Sequence, residues 1–169
     1  MLPEYKKEYK DILKSRNPEK AFYFAFTPSI QGANIWELER IIIESKNPEW
    51  AYLFAFFVPG ANKKILEQIV IKSRNPEYAY YFASKLHDFI QNIENFQSII
   101  IDSNDPLFAF LFAKDVYGAD VRALENVVIK SNKSIYAHQF AINVKGADVP
   151  SIIKSFPELY YELKNLVNF

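Results

Sequence analysis

Apolar residues recur along the chain in short blocks at positions i, i+3, i+4 and i+7, each block closed by polar or turn-forming residues. Ala51, Phe54, Ala55 and Val58 make one such block. Ile35, Leu38, Ile41 and Ile42 make another, with Glu37, Glu39, Arg40 and Glu44 on its outer side. This is the α-helical period, and it predicts an all-α protein. Two kinds of block alternate. The first opens at Asn17-Pro18-Glu19, Asn47-Pro48-Glu49, Asn75-Pro76-Glu77 and Asp105-Pro106. Asn or Asp accepts a bond from an orphan N–H, proline fits the first turn, and glutamate favours the positive helix end. The fifth copy has Lys133-Ser134-Ile135 and is a weaker start. The second kind opens at Asn34, Asn62, Asn92, Asp120 and Asp148, and Gly32, Gly60, Gly118 and Gly146 stand two residues earlier, where a left-handed residue ends the preceding helix. Asn34 and Glu37 have the spacing of a capping box. Lys14, Lys72 and Lys130 fall in last turns, facing carbonyl ends.

The alternation is a repeat. Ser15, Ser45, Ser73, Ser103 and Ser131 are 30, 28, 30 and 28 residues apart, and Phe24, Phe54, Phe82, Phe112 and Phe140 keep the same steps. Within a copy, the step from that Phe to the anchor of the second helix (Leu38, Leu66, Phe96, Leu124, Ile152) is 14 in the first and third copies and 12 in the others; from anchor to next Phe it is always 16. The extra residues therefore belong to one turn, at Thr27–Gln31 and around His87-Asp88-Phe89. Helices of roughly 10–13 residues are marginal alone in water. Stacked pairs supply each other's missing surface, so the pattern predicts a single-domain, right-handed α-solenoid: five helix-turn-helix repeats over residues 16–155, an N-terminal capping helix Pro3–Ser15, and a C-terminal capping helix within 156–169, at Pro157–Val167.

Composition narrows the chemistry. With 20 basic and 20 acidic residues in 169, the formal charge is zero, which gives no dedicated surface for polyanions. There is no cysteine, hence no disulfide, thiolate metal site or redox centre. The N-terminus lacks a signal-peptide core, and the longest apolar run, Trp50–Val58, is far short of the roughly 20 residues that span a bilayer, so a soluble cytoplasmic protein without a membrane partner is expected. The two histidines, His87 and His138, belong to no catalytic or metal motif, and no phosphate loop or nucleophile elbow is present. The expectation is a non-enzymatic protein with no cofactor and no metal. Glu39, Glu67 and Glu125 are repeat equivalents and read as a solvated row.

Two patterns exceed this background. Aromatic residues make up 17% of the chain and crowd the first helices. Tyr23, Phe26, Trp50, Phe56, Phe57, Tyr78 and Tyr81, with Trp36 after the second-helix cap, either pack in the core or form an exposed patch of the residue types that dominate protein-binding hot spots. A homodimer through the aromatic terminal residues Phe156, Tyr160 and Tyr161 is a further possibility. The second pattern is a basic edge: Lys14, Arg16, Lys46, Lys72, Arg74, Lys130 and Lys133 fall at the inter-repeat turns, where they either cap helices or, as an alternative function, track nucleic-acid phosphates.

The segment Phe112-Ala-Lys-Asp-Val-Tyr-Gly-Ala-Asp-Val-Arg-Ala-Leu-Glu-Asn-Val-Val-Ile-Lys-Ser131 resembles a helical repeat of about 28 residues found in uncharacterised proteins of bacteria, their phages and some large viruses. More loosely it looks like HEAT and tetratricopeptide solenoids, with a shorter unit and without the tetratricopeptide pattern. The likeness covers residues 15 to 155. It carries no catalytic residues over. It implies a protein-interaction module, such as a phage-encoded inhibitor of a host defence protein.

Overall fold

The computed structural model describes residues 3–27, 32–90 and 92–167. Among them, regular structure is entirely helical: α1 (Pro3–Ser15), α2 (Pro18–Phe26), α3 (Ile35–Ser45), α4 (Pro48–Phe57), α5 (Lys63–Ser73), α6 (Pro76–Lys85), α7 (Ile93–Ser103), α8 (Pro106–Asp115), α9 (Val121–Lys130), α10 (Ser134–Asn143), α11 (Val149–Ser155) and α12 (Tyr160–Leu163). Contacts divide the chain into two units, Met1–Tyr78 and Ala79–Phe169, with the boundary inside α6.

Helix starts follow the caps read from the sequence. The side chains of Asn17, Asn47, Asn62, Asp105, Asp120 and Asp148 each accept an N–H from the first turn that follows, and Asn75 accepts from Glu77 and Tyr78. Each such cap is worth about 1 kcal/mol. Lys133 supplies none, as its residue type requires. Asn34 does not form the expected capping box. Its side chain accepts the Trp36 N–H, while Glu37 Oε2 accepts the Tyr9 hydroxyl of α1 at 2.5 Å. A partner outside the helix has claimed the carboxylate. Burial, and then this bond to a carboxylate, push the Tyr9 hydroxyl up to about 12.

The invariant serines build the turns between repeats. Ser45, Ser73, Ser103 and Ser131 each donate from Oγ to the carbonyl three residues back and accept the N–H two residues on. The residue directly after each serine of the repeat is left-handed: Arg16, Lys46, Arg74, Asn104 and Asn132 have φ of 52° to 54°. At the other turn the left-handed residue is glycine; a Cβ on Gly60 would meet nothing within 4 Å, so the need there is conformational.

In the first unit α2 packs on α3 and α4 on α5, while α2 meets α4 and α3 meets α5. In the second, α8 packs on α9 and α10, α7 on α8 and α9, and α11 on α10. Phe24, Phe54, Leu38 and Leu66 fill the first core; Phe82, Phe96, Phe112, Leu124, Phe140 and Ile152 fill the second, where Phe82 and Phe96 stack at 5.6 Å. The alanines beside each Phe (Ala51 and Ala55, Ala79 and Ala83) are buried and let the helices approach.

Of two local expectations, one holds and one is revised. The extra residues of the third copy include a 3-10 turn, His87–Phe89; residues 28–31 of the first copy and Gln91 lie outside the described residues. The C-terminal cap, expected as one helix over Pro157–Val167, is broken into a 3-10 turn Pro157–Leu159, α12, and a second 3-10 turn Lys164–Leu166. The side chains of Phe156, Leu159 and Leu163 are buried.

Candidate protein-binding surface

Helices α2 and α4 carry more rings than their seam can hide. Into the core α2 turns Ala21 and Phe24, and α4 turns Ala51, Phe54 and Ala55. The remaining rings lie on the outer face. Phe22, buried, is the hub: its ring is 5.7 Å from Phe26, 5.2 Å from Tyr23, 5.8 Å from Trp50 and 6.3 Å from Phe57. Tyr23 meets Trp50 edge-on at 6.4 Å and Phe26 meets Phe57 edge-on at 5.4 Å. Phe57 touches Phe56 at 4.7 Å, and Phe56 stacks on Tyr52 at 5.9 Å. Such pairs contribute about 0.5–1.5 kcal/mol each beyond area burial, so the rings hold one another in place. They are nonetheless wet. Tyr23 is 55% exposed, Phe26 45%, and Phe56 and Phe57 42% each. The two readings of the aromatic residues are therefore both realised, in different rings of one network: a buried hub and an open rim.

The other aromatic candidates do not all join it. Trp36, the most exposed tryptophan at 66%, sits on α3 and contacts no ring of the network. Tyr78, at the start of α6, is half-buried. Tyr81 is half-buried in the second unit, 5.5 Å from Tyr80.

The basic candidates are engaged to different degrees. In the first unit Arg16 is ion-paired to Glu44, which also takes Arg40 at 3.4 Å. Lys14, Lys46 and Lys72 are exposed, and Arg74, with its left-handed backbone, closes α5. In the second unit Lys130 ends α9 and Lys133 lies 5.9 Å above the Tyr136 ring. Within the first unit, the exposed lysines and the ion-paired Arg16 thus share the inter-repeat turns.

The acidic row is where the structure corrects the sequence reading most. Glu39, Glu67 and Glu125 are buried, at 1%, 7% and 3% exposure. Glu39 Oε1 accepts the Asn62 N–H at 2.5 Å, and Glu125 Oε2 accepts the Asp148 N–H at 2.7 Å. Gln97, their equivalent in the third copy, accepts the Asp120 N–H at 2.7 Å. Each side chain thus clasps the cap residue of the next repeat's second helix, satisfying a donor that the helix start leaves over. The acceptor is always 23 residues before its donor, a spacing visible in the sequence once the Glu/Gln position is set against the Asn/Asp caps. Burial pushes all three carboxyls above the ordinary glutamate range; the N–H bonds to Glu39 and Glu125, and Lys64 beside Glu67, oppose it less strongly.

His87 pairs with its neighbour Asp88 at 2.9 Å on the surface, and His138 with Glu162 at 3.0 Å. No cluster of three or more potential metal ligands, and no helix long and apolar enough to cross a membrane, occurs among the described residues. Comparison of the chain with protein-family models, curated proteins and solved structures finds no match.

Proposed function

We propose that the chain is a right-handed α-solenoid of five helix-turn-helix repeats that acts as a non-enzymatic protein-binding module, holding or inhibiting a partner through the aromatic face of α2 and α4. One observation carries this reading: Tyr23, Phe26, Phe56 and Phe57, linked through the buried Phe22 and the half-buried Trp50, form a mutually supported ring surface that remains open to solvent. Fully burying such a ring is worth about 1.5–3 kcal/mol, and a partner that covers the rim gains the part left over. Pre-positioned rings lose little side-chain freedom on binding, which favours affinity. The clasps and serine turns support the repeat reading, since the same bonds recur from copy to copy in both units. A host-directed inhibitor, as the resemblance to phage-associated repeats implies, is one use of such a surface.

The test is affinity capture with the intact chain and with a Trp50→Ala/Phe57→Ser variant whose circular dichroism matches wild type. A stoichiometric partner retained by the first and lost by the second supports the proposal. A partner held equally by both overturns it, as does retardation of DNA or RNA in a low-salt gel shift with no protein partner, which returns the function to the basic edge.

A further inference from the structure

We propose that the groove between α3 and α5 is a second docking site, independent of the ring face, for an acidic–apolar peptide segment of a protein partner. Ile43, Ile65 and Ile69 form its floor, Lys46 and Lys72 stand beside them, and Gln68 and Ser73 complete the wall around a space of about 430 Å³. That volume is enough for a few side chains. Ile65 is 39% exposed, although its helix has a fully buried stripe elsewhere.

The charge in the groove is of one sign. Lys46 and Lys72 have no carboxylate partner among the described residues. The acidic groups on α3 and α5 themselves that lie nearest are committed elsewhere: Glu44 to Arg16 and Arg40, Glu39 to the Asn62 N–H, and Glu67 to the interior; Glu49 and Glu77 lie on the helices that follow and pair with neither lysine. Ser73 is also committed, donating to the Val70 carbonyl and accepting the Asn75 N–H. Two free ammonium groups beside three isoleucines call for a ligand that places carboxylates next to aliphatic side chains. Nucleic acid fits poorly, because its bases seek aromatic or guanidinium faces and the floor is aliphatic. A small amphiphile fits less well than a peptide: the walls at Gln68, Lys72 and Ser73 are exposed, whereas small-ligand sites enclose most of their ligand.

The probe is a ten-residue peptide alternating leucine and glutamate, titrated into the full chain and followed through isoleucine methyl resonances. The expected result is saturable shifts at Ile43, Ile65 and Ile69. Affinity falls at least tenfold in a Lys46→Glu/Lys72→Glu variant, both sites being exposed enough to leave the fold intact. A Phe26→Ser/Phe57→Ser variant binds the peptide as wild type does, which separates this site from the ring face. Absence of saturable shifts, affinity indifferent to the charge reversal, or equal or tighter binding of decanoate or a single-stranded oligonucleotide overturns the proposal.

Discussion

The first unit, Met1–Tyr78, and the second, Ala79–Phe169, are built on one repeat and finished differently on the surface. Their cores match position for position: Phe24 and Phe54 answer to Phe82, Phe112 and Phe140, all buried. The outer face of the first helices does not match. Phe26 and Phe56 of the first unit correspond to Ser84, Lys114 and Ile142 of the second, and Phe57 to Lys85, Asp115 and Asn143. In the second unit the Tyr80 hydroxyl donates to Asp115 Oδ2 at 2.6 Å, Lys114 reaches Asp115 at 3.5 Å, and Lys114 also lies over the Phe110 ring. Burial, followed by the bond to Asp115, raises the Tyr80 hydroxyl well above its ordinary value. Polar groups there satisfy one another, while the first unit leaves rings open. The buried positions are shared, so the difference lies on the outer face of these helices and not in their cores.

The largest expected effect tests the shared part. Phe54→Ala and Phe112→Ala, at sites without solvent exposure, each lower stability by about 3–5 kcal/mol in chemical denaturation. A much smaller loss in one unit breaks the equivalence of the two cores. Next comes the part that differs. Replacing Phe26 by Lys and Phe57 by Asp writes the second unit's chemistry onto the first. Partner affinity falls by about a hundredfold, or roughly 2.7 kcal/mol, read by calorimetric titration, while the circular dichroism spectrum stays that of the wild type.

The clasps sharpen the comparison further, because Gln97 is a natural neutral version of Glu39 and Glu125. Glu125→Ala leaves the Asp148 N–H without its acceptor and costs about 1–3 kcal/mol. Glu39 and Glu125 have raised folded-state pKa values, so between the ordinary glutamate value and the raised one the folded chain holds more protons than the unfolded chain. Stability therefore falls as pH rises through that window. The double variant Glu39→Gln/Glu125→Gln keeps the N–H bonds and flattens this slope in denaturation curves taken from about pH 4 to 7. The smallest effect is at the turns. The first unit uses Arg16, Lys46 and Arg74 at left-handed positions where the second uses Asn104 and Asn132. Asparagine tolerates that conformation better, so Lys46→Asn raises stability by a few tenths to about 1 kcal/mol in thermal melts.

Much of the fold was legible because its determinants are local. Caps at Asn17 and Asn47, prolines at first helical positions, glycines with positive φ and the Phe–Ala stripes act within a turn or two of chain, and periodicity reports them. The candidate surface was half legible. Sequence marked the crowding of rings on α2 and α4, but which ring is the hub and which the rim depends on how two neighbouring helices pack. Tertiary structure alone decided that Phe22 is covered while Phe26 and Phe57 are not, and that Glu37 serves Tyr9 instead of its own helix start. It alone turned Glu39 and Glu125 inward. A glutamate among polar neighbours on a short helix looks solvated by period, and only the N–H of another repeat, 23 residues on, gives its carboxylate a reason to be buried.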